Sequence, residues 1–278
     1  MDHRDCFCRR RCGAGNTVIG FRNYFPIAVP VGILMAAVML VLARLASAGP
    51  PFRTDDPEPV DYQHWEIYGF SQGTQKQGDT SGILPGVEVN YGAVPNLQLH
   101  VIAPFGSFDK PSGSPGTKFG YGDTELGVKY RFIEENDDSW WPQVGVFPLL
   151  EAPTGNLQRG LGTGRAHEFL PVWLQKDFDP WVTYGGGGYW INPGPGNQNY
   201  WFAGWVLQRQ VTKQLALGGE VFHQTADKIG GKDSTGFNLG GIYDFTDNYH
   251  LLFSAGRGLQ NVTATNQFSY YVALQLTF

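Results

Sequence analysis

The sequence predicts an all-β fold, a transmembrane antiparallel up-and-down β-barrel of about 12 strands that follows an N-terminal signal peptide. Three observations predict it. The chain ends on a long, strict alternation of apolar and polar residues, the alternation recurs through the chain, and long and short connections alternate. No stretch after Ala48 has a convincing helical period, and only 16% of the 278 residues are charged.

A single long apolar run lies near the N-terminus, from Ile27 to Ala43. Arginines precede it, among them Arg9, Arg10, Arg11 and Arg22, and the small-residue pattern Ala46-Ser47-Ala48 follows. This order predicts a secretory signal peptide over residues 1–48, cleaved after Ala48. The alternative, a retained single-span anchor, is disfavoured by Pro26 and Pro30 in or beside the run.

Removal of this leader would change the charge and the chemistry of the chain. All three cysteines lie in the leader, so the mature chain would have no disulfide and no thiolate metal site. Six basic and two acidic residues leave with it, so 14 basic and 23 acidic residues remain, a net charge of −9. This charge argues against nucleic acid as a partner, and no motif indicates a cofactor or a metal.

Residues 49–61 come next and are predicted to be an extended periplasmic lead-in, because prolines punctuate them. They also contain four acidic residues, so a divalent-cation site is an alternative. The barrel itself is predicted over 62–278.

Twelve candidate strands follow from the alternation. They run over residues 62–73, 83–94, 97–106, 122–132, 141–152, 167–176, 181–191, 200–210, 214–227, 235–245, 249–259 and 267–278. Starting with the first, every second connection is long, about 10 residues on average, and the others average about 4. Outer-membrane barrels have short periplasmic turns and longer extracellular loops, so this sorting favours a barrel in the bacterial outer membrane, in contact with its lipid.

The last strand, Gln267 to Phe278, carries the clearest pattern. Apolar residues occupy every second position, as expected for a strand with lipid on one side and a polar lumen on the other. Its 12 residues suffice for a tilted transmembrane strand, which needs ~9–11. The final aromatic, Phe278, resembles the C-terminal residue by which the barrel assembly machinery recognises its clients, so that machinery is an expected partner.

Several stretches resemble the outer-membrane transporter family named after the MetA pathway of phenol degradation. They are PPFRTDDPEPVDYQHWEIY, YGDTELGVKYRF, FPLLEAPTG and the closing strand, and the resemblance covers nearly all of residues 50–278. It implies a β-barrel that passes small compounds, with aromatic or hydrophobic ones as candidates. It implies no individual site residue.

Strand parity places ten ionisable residues toward the predicted lumen, where rings of charge tune which solutes pass. The candidates are Glu66, Glu88, His100, Asp123, Glu125, Lys129, Arg131, Glu151, Glu220 and Asp244. Acids outnumber bases seven to two among them, which predicts a weak cation preference. The alternative is that these charges pair with one another and only brace the wall.

Gly185–Gly188 form a run that is unusual for a strand and predicts close approach by another segment. An infolded loop or residues 49–61 could rest against the run, or the glycines could make room for neighbouring tryptophans.

The predicted function is a channel that passes small molecules by passive diffusion through a narrow lumen. The rival predictions are an outer-membrane barrel enzyme acting on lipid and a plugged structural barrel. The histidines are scattered and form no convincing triad, because His250 and Ser254, on one strand face, would lie ~13 Å apart. An enzyme is therefore the weaker prediction.

Overall fold

The computed structural model describes residues 51–278, except residues 112, 114–115 and 137–138. The predicted signal peptide, residues 1–48, lies outside the described residues. Among those described, no helix is long and apolar enough to cross a membrane.

The described chain is built almost entirely of strands. Their bounds are β1 Trp65–Lys76, β2 Asp79–Val94, β3 Leu97–Ala103, β4 Ser107–Lys110, β5 Lys118–Gly120, β6 Thr124–Ile133, β7 Gln143–Val146, β8 Leu149–Ala152, β9 His167–Phe178, β10 Trp181–Ile191, β11 Tyr200–Thr212, β12 Leu215–Gln224, β13 Ser234–Asp244, β14 Tyr249–Gly258 and β15 Phe268–Thr277. A short 3₁₀ helix, Leu157–Arg159, and a short α-helix, α1 (Val262–Thr265), lie in two of the connections.

Neighbouring strands pair antiparallel in chain order, and β1 pairs with both β2 and β15. The β1–β15 contact runs from Glu66 opposite Thr277 to Gln75 opposite Phe268, so the sheet closes along the whole length of both strands. Closure removes the exposed sheet edges that a membrane does not tolerate. The predicted 12-stranded barrel is confirmed. Of the 15 strands, β7 and β8 together form one wall strand, and the short β4 and β5 form a hairpin that is not counted as wall, which leaves 12.

Two details of the wall differ from the predicted strands. Residues 141–152 were predicted as one strand, but it breaks between β7 and β8 at Phe147 and Pro148, because proline has no N–H to donate to a ladder. The predicted 107–121 connection instead contains the hairpin β4–β5. This hairpin forms because β2 extends beyond the end of β3 and offers Thr80–Ile83 as a pairing edge.

The two faces of the barrel follow the predicted alternation. On β15, Phe268, Val272 and Leu274 are exposed, whereas Ala273 and Gln275 between and beside them are buried. Since the exposed side chains point away from the lumen, the exterior is an apolar surface that suits lipid.

The core of the molecule lies in the lumen, where inward side chains pack together. One cluster is centred on Tyr68, Phe70 and Leu252, and another on aromatic rings of β9, β11 and β12, including Trp173 and Phe222. The lumen is therefore narrow and partly apolar, a property that a count of inward charges does not predict.

Candidate functional site in the barrel lumen

Residues 51–61, which we call the lumen segment, run inside the barrel. Thr54 is 0% exposed and Asp56 is 1% exposed, and Phe52 and Val60 are also buried. The predicted position of this segment, extended in the periplasm, is wrong for these residues. The reason is that inward side chains of the wall supply hydrogen-bond partners and counter-charges to the segment.

Glu220 on β12 is the main anchor of the lumen segment. Its carboxylate accepts hydrogen bonds from the backbone N–H groups of Arg53 (2.9 Å) and Thr54 (3.0 Å) and from the Thr54 hydroxyl (2.8 Å). Asn238 of β13 donates a fourth hydrogen bond at 2.5 Å. With 2% of its surface exposed, Glu220 is stabilised as a buried carboxylate by these donors.

The Arg53 side chain points to the same wall. Its guanidinium lies 4.5 Å from the centre of the Phe222 ring and 5.4 Å from that of Phe202, within cation–π range. It also donates to Gln224 at 3.1 Å. The segment is thus held by backbone and side chain at one place on β11–β12.

The acidic residues of the segment face the basic residues of β6. Lys129 lies 2.9 Å from Asp55 and 3.5 Å from Asp56, and Arg131 lies 3.5 Å from Glu58. The alternative prediction of a divalent-cation site gains no support, because no group of three or more candidate ligands is arranged for a metal among the described residues.

Glycines in the wall seat the segment. A Cβ atom added at Gly204 would lie 1.9 Å from the Thr54 hydroxyl oxygen, and one at Gly92 would lie 1.9 Å from the Asp61 carbonyl oxygen. These glycines leave room for close approach by another chain segment.

The run Gly185–Gly188 makes room for neighbouring parts of the wall, unlike the glycines that seat the lumen segment. A Cβ at Gly185 would lie 2.4 Å from the Trp205 ring, and one at Gly186 would lie 2.1 Å from a β9 carbonyl oxygen and 3.1 Å from the Trp173 ring. Of the two predicted roles, the run therefore makes room for tryptophans and adjacent strands.

A cavity of about 930 Å³, which we call the vestibule, lies in the lumen. Pro51, Phe52, Arg53 and Asp55 form part of its lining. The connections at the end of the barrel opposite the C-terminus also line it, at Gly230 and Thr265. The lumen segment is therefore the floor of a space that opens toward the longer connections.

The comparisons with known proteins fit this architecture. The sequence profile of a family described as putative MetA-pathway of phenol degradation matches residues 79–278. The chain belongs to this family. The match begins after β1, so the lumen segment lies outside it, and curated proteins give no significant match.

Two solved structures are similar to this member of the family. An outer membrane channel from Pseudomonas putida F1 has a TM-score of 0.65 at 18% identity, over 83% of this chain and 99% of that chain. The NanC porin has a TM-score of 0.51 at 9% identity, over 77% of this chain and 98% of that chain. At these identities the likeness concerns the fold, and the fold is that of Gram-negative outer-membrane barrels.

Four of the ten predicted lumen residues line the vestibule: Glu88, His100, Glu125 and Lys129. The His100 imidazole lies between two carboxylates, 3.0 Å from Glu125 and 3.6 Å from Glu88, and 2.7 Å from the Asn90 side-chain oxygen. The side chains of Glu125 and of Asp55 on the segment remain about one-fifth exposed, at 21% and 22%.

Three more predicted residues face the lumen away from the vestibule. Glu220 and Arg131 hold the lumen segment, and Glu66 accepts a 2.6 Å hydrogen bond from the Tyr68 hydroxyl.

The last three predicted residues lie near the barrel ends and line no part of the vestibule. Asp123 accepts hydrogen bonds from Gly155 and Thr163 and braces a loop. Glu151 pairs with His167 at 3.3 Å, and Asp244 pairs with His250 at 2.7 Å. All ten residues have partners, as the bracing alternative expects, and their role in selectivity stays a prediction.

Sequence parity missed Arg53, Thr54 and Asp55, because they belong to no strand. One signal was available, namely a run of acids between prolines in a chain whose inward bases, Lys129 and Arg131, lie on one strand.

Proposed function

We propose that the protein is an outer-membrane channel that passes small molecules by passive diffusion. The observation that carries the proposal is the vestibule, a space of about 930 Å³ inside a closed barrel with an apolar exterior. A volume of this size suits small molecules.

The lining of the vestibule supports the proposal that aromatic or hydrophobic compounds are among the solutes. Phe70, Phe147, Leu149 and Tyr271 line it together with many polar groups. A solute with a ring could pack against these side chains while its polar groups meet hydroxyl and amide groups.

Charge on the vestibule supports a weak preference for cations. Lys129 pairs with Asp55 and Asp56 of the segment, two carboxylates to one cation, and the partly exposed Glu125 also faces the cavity. Acidic groups that line a pore favour cation passage.

The enzyme alternative gains little from the geometry. Asp244, His250 and Thr277 form the arrangement most like a triad, with His250 Nε2 3.3 Å from the Thr277 hydroxyl. The backbone N–H groups of Thr277 and Phe278 are already bonded to carbonyl oxygens, so neither is free to stabilise an oxyanion.

Planar-bilayer conductance of the refolded mature protein tests the proposal, followed by flux of phenol and of a matched uncharged sugar into liposomes. We expect discrete current steps. We also expect phenol to enter liposomes that contain the protein faster than it enters protein-free liposomes. An inserted barrel that passes neither ions nor either solute would overturn the proposal in favour of a structural role.

A further inference from the structure

The lumen segment is bound to the wall in the way that a peptide ligand binds to a receptor. We propose that the wall around Glu220, Lys129 and Arg131 is a peptide-binding site, and that its resident ligand, the lumen segment, detaches as a movable plug. The role of detachment in opening the lumen rests on the proposed channel function.

The first argument is the type of bond that holds the segment. None of residues 51–61 belongs to a strand, and the nearest ladder contact is a single bridge between Tyr62 and Gly92. Wall side chains accept hydrogen bonds from the backbone N–H groups of Arg53, Thr54 and Val60, the last to the Gln98 amide oxygen at 2.9 Å. Detachment would therefore break no pairing of the 12-stranded wall.

The second argument is charge complementarity between two separable surfaces. The wall presents a carboxylate to Arg53 and Thr54, and two cations to Asp55, Asp56 and Glu58. The site thus recognises an extended peptide with an Arg-Thr-acidic core. Prolines 51, 57 and 59 restrict the segment to extended conformations, so less entropy is lost on binding.

The third argument is the tether at the rim. Gln63 has a positive φ of 66°, and His64 N–H bonds to the Asp61 carbonyl oxygen at 3.0 Å, which makes a turn between the segment and β1. The Trp65 N–H bonds to the Phe278 carbonyl oxygen at 2.8 Å. The segment beyond this turn can leave the lumen while β1 stays in the wall.

Cysteine labelling tests detachment without reference to transport. The native cysteines, Cys6, Cys8 and Cys12, are replaced by serine. One reporter is Thr54→Cys in the segment. A second is Val206→Cys, a wall position that packs with Phe52 of the segment.

The label is a maleimide–polyethylene glycol applied to the folded barrel. Leu252→Cys is the matched control, because it is equally buried but belongs to a cluster without the segment. We expect both reporters to react at least about tenfold faster than this control, since local opening precedes global unfolding. Equal rates at all three positions would overturn detachment.

A disulfide tests whether detachment opens the lumen. A Cβ at Gly145 would lie 3.0 Å from the Pro57 Cβ. This is shorter than the ~3.5–4.5 Å that a disulfide spans, so a small outward shift of the segment should let Pro57→Cys and Gly145→Cys form a disulfide that locks it. We expect the oxidised protein to lose most of its conductance and the same preparation to regain wild-type conductance on reduction. The reduced form is the control for folding.

The outcomes separate the two proposals. An oxidised protein that conducts as well as the reduced one would overturn the gating role of the plug. A wild-type barrel that is silent, while the Thr54→Cys and Val206→Cys reporters react fast, would overturn the channel function but support the peptide site.

Discussion

At the scale of single residues, the partner of an inward charge decides its role more than its position on a strand. Lys129 is 1% exposed and contacts Asp55 and Asp56, so its charge serves to hold the segment. Glu125, on the same strand, keeps part of its carboxylate open to the vestibule. Parity assigns both residues to the lumen but cannot separate these roles.

Lys129→Met should release the lumen segment. The change leaves two carboxylates without a cation in a largely buried place. This should weaken the binding of the segment to the wall by about 3–5 kcal/mol. Trypsin is too large to enter the vestibule, so cleavage after Arg53 reports release, and mass spectrometry identifies the new N-terminus.

The control is Lys176→Met, which removes a lysine that pairs with Glu135 and not with the segment. Cleavage after Arg53 should become fast in Lys129→Met and stay slow in the control. Equal protection of the two variants would contradict the assigned role of Lys129.

Gly204→Ala tests the fit of the segment against the wall. The new methyl group would meet the Thr54 hydroxyl, which lies 1.9 Å from the Cβ position, so overpacking of about 1–3 kcal/mol should displace the segment. The same trypsin assay checks this expectation, and Thr54→Gly in the same chain should restore protection by making room.

Gly69→Ala is the control for Gly204→Ala, because nothing lies within 4 Å of the Cβ position at Gly69. If Gly69→Ala exposed Arg53 as much as Gly204→Ala does, steric contact with Thr54 would not be the cause.

At the scale of elements, the two ends of the described chain are held in the structure by different kinds of interaction. The closing strand β15 is fixed by ladders to β1 and β14 along its length, and its alternation predicts both faces correctly. The lumen segment has no ladder and is held by side chains of β3, β6, β9 and β12. Alternation therefore predicts the first element and says nothing about the second.

Phe278→Ala tests the predicted recognition of the last residue by the barrel assembly machinery. We expect less folded barrel in outer-membrane fractions, seen as loss of the heat-modifiable band on electrophoresis. Refolding in detergent should be affected less, because the Phe278 backbone bonds with Trp65 remain.

Phe268→Ala is the control, since it removes a similarly exposed lipid-facing aromatic from the other end of β15. Equal assembly defects in the two variants would indicate a general loss of apolar surface instead of recognition at the C-terminus.

At the scale of the whole molecule, the barrel separates an apolar exterior from a lumen in which charges are paired. In the proposed channel, selectivity would depend on the few charges that stay open to the vestibule, with Glu125 the clearest case on the wall.

Glu125→Gln should lower the preference for cations, because it removes a partly exposed negative charge from the vestibule. The reversal potential under a salt gradient measures the change, and Asp123→Asn is the control, since Asp123 lies outside the vestibule and braces a loop. An unchanged reversal potential in Glu125→Gln would remove this residue from the selectivity candidates.

The sequence by itself determined the fold of this protein: the number of wall strands, their lipid-facing and lumen-facing sides and the closing strand. It could do so because lipid on one side and a lumen on the other impose a period of two on every strand. Only the tertiary structure decided the position of the lumen segment, the glycines that seat it and the partner of each inward charge. These depend on contacts between residues far apart in sequence, such as Thr54 with Glu220, and such contacts leave no local periodicity.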